Sequence, residues 1–194
     1  MSAAETKPSA QDLLRTFTSP GPKVQLQLDI NGLYIILSTQ SANNVWHWVL
    51  YLHISESLGW VFHITDLGLV SWEYHCYECS DMVYSATAIS VVKVADMAPE
   101  MHEALHARIG FDSRPAVRLE DTEHFGRLNC RTWLLQVLYE LDNEGYISVR
   151  PGYSIRDVEQ EALALASNNK YLMQEKRARL SELRKEMDSA YCAL

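Results

Sequence analysis

The chain has 194 residues, 47% of them hydrophobic, with five tryptophans, 17 basic and 25 acidic side chains and a formal net charge of −8. Such a composition belongs to a globular protein rather than a disordered one, and the acidic balance argues against a general nucleic-acid binder, which needs a basic face. No run approaches the ~20 apolar residues of a membrane-spanning helix, so no transmembrane segment is expected.

Residues 1–22 are rich in Ser, Ala, Thr and Pro and lack the apolar stretch of a secretory signal, so they read as a flexible leader with a short helical attempt at Gln11–Phe17. Four cysteines without an export signal predict reduced thiols and a cytoplasmic location. Residues 23–150 read as one domain. Val24–Ile30 and Leu33–Ser38 read as two strands joined at Asn31-Gly32, a dipeptide suited to a type I′ hairpin turn. Val45–Ile54, Gly59–Thr65, Leu69–Tyr77 and Val83–Val94 read as further strands, and Pro99–Arg108 as a short helix. Gly110–Phe125 reads as a polar connection. Asn129–Asn143 has apolar residues Trp133, Leu134, Val137, Leu138 and Leu141 at helical steps, with Asn129 as N-cap and Gly145 as a stop. Tyr146–Val149 is a candidate last strand. Residues 151–194 read as a C-terminal helical extension running from about Ser154 to Ala190, with Met173, Leu180, Leu183, Met187 and Tyr191 roughly on one side. A stripe of that kind lies on its own domain or joins two copies, so a homodimer is a candidate assembly. The class expected is α+β, an antiparallel sheet packed against a cysteine-bearing helix.

The chemistry concentrates in three residues. Cys130 opens its helix, where free N–H groups and the helix dipole favour an anion and are expected to lower the thiol pKa. His47 lies in an alternating strand with Val45, Val49, Tyr51 and His53 on its face, and Trp46, Trp48, Leu50, Leu52 and Ile54 on the other. His63 lies on the next strand with Val61 and Thr65. In a suitable hairpin register the two imidazoles share a side, as a base and its orienting group require. Asp66 is an alternative orienting group.

The ordered set His47-Trp48-Val49-Leu50-Tyr51, then His63, then Asn129-Cys130 resembles the circularly permuted papain-like fold. It resembles in particular the lecithin:retinol acyltransferase-like thiol acyltransferases and phospholipases of the NlpC-type superfamily, over about Val45 to Gly145. The resemblance implies a cysteine-dependent acyltransferase or hydrolase that works through a thioester acyl-enzyme on an ester, thioester or amide. Cys130 would be the nucleophile, His47 the general base and His63 the orienting group; Tyr51, Asn129 and Trp133 would border the substrate. The partner implied is a small-molecule, lipid or peptide acyl substrate, with no cofactor and no metal. Three departures bear on the substrate, one being that a charged C-terminal helix stands where members of that family often end in a membrane-anchoring one. The hairpin near Ser55–Gly59 is longer than is usual in that family, and Arg131-Thr132-Trp133 stands where the family favours Glu-His-Phe. A non-catalytic binding or dimerisation module on the same scaffold is the alternative.

Two further patterns compete. His75-Cys76-Tyr77-Glu78-Cys79 holds a C-x-x-C, but no second knuckle completes four zinc ligands, and on a strand Cys76 and Cys79 face opposite ways. His102-Glu103-Ala104-Leu105-His106 matches the zinc-peptidase pattern on a short helix; a third ligand is needed, for which Glu123 or His124 are guesses.

Overall fold

The computed structural model describes residues 25–39, 45–66, 72–110, 125–175, 178–179 and 182–194. Among these, six strands form one sheet: β1 Gly32–Thr39, β2 Trp46–Ser55, β3 Leu58–Thr65, β4 Glu73–Cys79, β5 Ala88–Asp96 and β6 Glu186–Asp188. Three α-helices accompany it: α1 His102–Gly110, α2 Cys130–Asn143 and α3 Ile155–Glu175. The strand order is β4-β3-β2-β1-β5-β6. Every pairing is antiparallel except that of β5 with β6, so the sheet is mixed where an antiparallel one was expected. The class is α+β.

Alternation along the strands divides the apolar residues between two faces. Leu33, Ile35, Leu37, Trp48, Leu50, Leu52, Phe62 and Ile64 form the main core with Trp133, Leu134, Leu138, Val158, Ala162 and Ala166 from α2 and α3. Each large side chain buried there contributes ~1.5–3 kcal/mol. A smaller core on the other face gathers Tyr34, Ile36, Val49, Tyr51, Val61 and Val91 under Leu26. Gly59 is required at the β2–β3 hairpin, because a Cβ there would collide with the Leu52 carbonyl and the Tyr51 ring.

The helix carrying Cys130 begins and ends as its sequence predicts. The Asn129 side chain accepts from Thr132 N at 3.0 Å, and the Thr132 hydroxyl accepts from Asn129 N at 2.9 Å. This reciprocal capping satisfies two donors that a helix start leaves free. Gly145 takes φ +79°, the left-handed conformation that closes the other end.

Three expectations are corrected. Residues 25–29 are not a strand; the Asn31 turn is present, with Gly32 N bonded to Asp29 O at 3.0 Å, but β1 is already flanked by β2 and β5, so no hairpin partner fits beside it. Leu26 instead crosses the smaller core, its N–H bonded to Val83 O at 2.7 Å. The final strand foreseen at Tyr146–Val149 is a single bridge, Val149 to Cys192. The long C-terminal helix ends at Glu175, and the chain returns as β6 along the edge of β5. An open edge presents unpaired N–H and C=O groups. Val91 N bonds to Lys185 O at 2.8 Å and Ser189 N to Lys93 O at 2.9 Å, while Asn169 Nδ2 donates to both Ile89 O and Arg184 O. The segment after residue 150 therefore shares the main core, with Ile155, Val158 and Cys192 buried in it. No helix among the described residues is long and apolar enough to cross a membrane. The leader, including Gln11–Phe17, and most of Gly110–Phe125 lie outside the described residues.

Candidate functional site

β2 and β3 bring the two histidines together. Their register pairs Leu50 with Phe62, which sets His47 and His63 as diagonal neighbours on the face of the smaller core. His47 Nε2 lies 2.8 Å from His63 Nδ1, with the rings edge to face. The chain of rings continues across the sheet: His63 pairs in register with His75 of β4, ring centroids 5.4 Å apart, and meets the Tyr77 ring edge-on at 5.9 Å. Burial draws the His47 pKa down to about 4, the exposed Asp66 carboxylate opposing it. His63 lies well below its ordinary value, through burial first and then through His47 and His75. Both imidazoles are therefore neutral near pH 7.

Cys130 approaches the same strand from the helix side. Its thiol donates to Trp46 O at 3.8 Å, and the Trp48 N–H lies against the same sulfur. The sulfur thus touches the backbone on both sides of His47. It can do so because the register with β3 starts only at Leu50, which leaves that flank of the first β2 residues to the helix N-terminus. The expected lowering of the thiol pKa is not the net result. Burial raises it above the ordinary cysteine value, and the N–H groups of Trp48, Arg131 and Cys130 offset only part of that rise. Cys130 is 8% exposed and His47 6%.

The remaining residues foreseen for the site have other work. Asn129 is the helix cap. Trp133 is buried in the main core, its ring against Tyr74. Tyr51 lies four residues along β2 from His47, roughly 13 Å away at strand rise, and its hydroxyl bonds His53 Nδ1 at 3.1 Å. The His102–His106 pair is divided. His102 Nε2 lies 3.3 Å from Met97 O, and His106 Nε2 lies 3.3 Å from Cys76 Sγ. Among the described residues no three His, Cys, Asp or Glu side chains converge as metal ligands; Glu123 and His124 lie outside them.

Sequence reasoning missed the Cys76–His106 contact, since the two residues belong to patterns that were weighed separately. The available signal was that Cys76 and Cys79 point to opposite faces, which turns Cys76 toward the helices. It also missed Glu159, fully buried beside the site and paired with Arg131 and with Arg156, the latter at 2.9 Å. No curated protein and no solved structure matches the chain. A family match covers residues 33–148, from the second residue of β1 to just beyond α2, and so takes in His47, His63 and Cys130; the chain belongs to DUF6540, a family of unknown function.

Proposed function

We propose that this protein is a cysteine-dependent acyltransferase or hydrolase of the permuted papain-like, NlpC-type class, acting through a thioester on Cys130. The observation that carries the reading is the His47–His63 contact at 2.8 Å, set on the strand whose first residues the Cys130 sulfur touches.

The hydrogen bond constrains the tautomers. With Nε2 of His47 engaged by Nδ1 of His63, the His47 nitrogen left to take a proton is Nδ1. That nitrogen is basic only if Nε2 carries hydrogen and donates to His63, which then carries its own hydrogen on Nε2. His63 thus holds one tautomer of His47. At rest thiol and imidazole are both neutral, so His47 acts as a general base during attack rather than as half of a standing ion pair. The thiol leaves Trp46 O and swings past the flank of β2 that β3 leaves unpaired toward His47, whose ring lies on the other face, and gives up its proton there as sulfur bonds to the acyl carbon. His47 returns the proton to the leaving group. The N–H groups of Cys130 and Arg131 face the reacting atom and favour developing negative charge.

A second reading, a non-catalytic binding module, draws support from the deep burial of both side chains and from the thiol's bond to a backbone carbonyl. The deciding experiment is peptide-mapped mass spectrometry after incubation with short activated esters. The catalytic reading expects an acyl adduct on Cys130 that is absent in Cys130→Ser and slowed at least ~100-fold in His47→Gln, the ordinary scale of general-base assistance. Equal labelling of Cys130 with and without His47 would overturn it.

A further inference from the structure

A second thiol is equipped differently. Cys76 of β4 stands opposite Phe62 in register, on the helix-covered face, and His106 of α1 reaches it with Nε2 3.3 Å from the sulfur. The imidazole is held from behind by Trp60, ring centroids 4.3 Å apart, with Phe62 at 6.0 Å. The Tyr74 hydroxyl, two residues along the same face, is buried without a conventional hydrogen bond and lies against the Cys76 sulfur. Cys76, Tyr74, His106 and Trp60 are all partly exposed, so the cluster is reachable from solvent.

We propose that Cys76, His106 and Tyr74 form a second acyl-accepting site for uncharged, apolar activated esters and thioesters. Nucleophile and base are already in hydrogen-bond contact, and a buried hydroxyl faces the place where oxyanion charge develops. The partly exposed ring of Trp60 suits an apolar acyl chain. Burial raises the Cys76 thiol pKa, so the sulfur stays protonated at rest and depends on the imidazole to react.

The step balances without a further reactant. Cys76 Sγ bonds to the carbonyl carbon as its proton passes to His106 Nε2. The carbonyl π pair moves to oxygen, which takes a hydrogen bond from Tyr74. Collapse restores the C=O and breaks the bond to the leaving oxygen or sulfur. That group takes the proton from His106, leaving a thioester on Cys76 and a free alcohol or thiol.

Cys79 supplies an internal control. It belongs to the same strand but faces the other way, and its thiol donates to the Asp81 carboxylate at 3.3 Å. The full-length protein is treated with 4-nitrophenyl butanoate, and adducts are mapped by peptide. Cys76 is expected to acylate at least ~100-fold faster than Cys79, and His106→Gln to abolish most of that advantage, on the same scale of general-base assistance. Tyr74→Phe is expected to slow acylation about 100-fold, as loss of an oxyanion donor does. The same variant should leave alkylation of Cys76 by iodoacetamide, which forms no oxyanion, within twofold. Equal acylation of Cys76 and Cys79 in the wild-type protein overturns the proposal even if a variant fails to fold. An undiminished rate in folded His106→Gln does so too. Because the readout is the site of the adduct, failure at Cys130 and failure at Cys76 are separate results.

Discussion

The two faces of the sheet are built on different principles. The helix-covered face is a dense apolar layer in which Leu33, Ile35, Leu37, Leu50, Leu52, Phe62 and Ile64 are wholly buried. The opposite face is thinner, covered by the stretch around Leu26 and Met82, and it interleaves apolar residues with His47, His53, His63, His75 and Tyr77. One face holds the domain together by removing apolar area from water. The other spends burial on His47, His53 and His63, whose pKa values it lowers. Stability and titration should therefore map to different sides of the same strands.

The largest effect expected is on the apolar side. Leu50→Ala should lower unfolding free energy by about 3 kcal/mol or more in urea titration, the range for truncating a packed core leucine. Val49→Ala, its neighbour on the thinner face and 6% exposed, should cost less than half as much. Equal losses would erase the distinction.

Next comes acid sensitivity. The His47 pKa is about 4 in the folded chain against 6.5 ordinarily, so the unfolded chain takes up the proton first. Stability is complete above pH ~6.5 and falls as pH drops toward ~4, by about 3 kcal/mol for this group. His53, also lowered by burial, acts in the same direction. His47→Gln should flatten that part of the pH–stability curve, and an unchanged slope would locate the titration elsewhere. In the catalytic reading the acid limb of Cys130 acylation should also lie near pH ~4 rather than near pH ~6.5, because the low pKa belongs to the base.

Smaller changes sharpen the comparison. Asn129→Ala removes the acceptor that caps α2 and should cost ~1 kcal/mol. Its acylation readout separates a cap from a substrate contact: Cys130 labelling should slow no more than the loss of helix order requires. Arg108→Ala breaks a partly exposed pairing with Glu140 and Glu144 at the surface. It should change stability by only ~0.5–1 kcal/mol, and less in high salt.

Much of the site was legible because it is written in short-range patterns. The period-two alternation through Trp46–Ile54 and Trp60–Ile64 assigns His47 and His63 to one side, and the hairpin turn fixes their register. The Asn129–Thr132 reciprocity announces α2 from adjacent residues. What was illegible depends on distant segments. Residues 25–29 have strand-like composition, but whether they pair is decided by β5, some sixty residues away, which occupies the flank of β1. The β6 segment has a helix-like distribution of apolar residues, and the bare edge of β5 outweighs that preference. Cys76 and His106 meet only because α1 packs over β3, a contact that no local spacing encodes. The thiol pKa of Cys130 was misjudged for a related reason. Helix position is visible in sequence, whereas the depth at which the helix start is buried is not.

The placement of β6 has a consequence for how the protein is made. Residues 186–192 supply both a rim of the sheet and, through Cys192, a piece of its interior. A ribosome that has reached Glu175 has therefore made five strands of which β5, at the edge opposite β4, still lacks a neighbour along one side. During that interval the nascent polypeptide is open to annealing with another copy, and completion of these few residues is what ends the exposure.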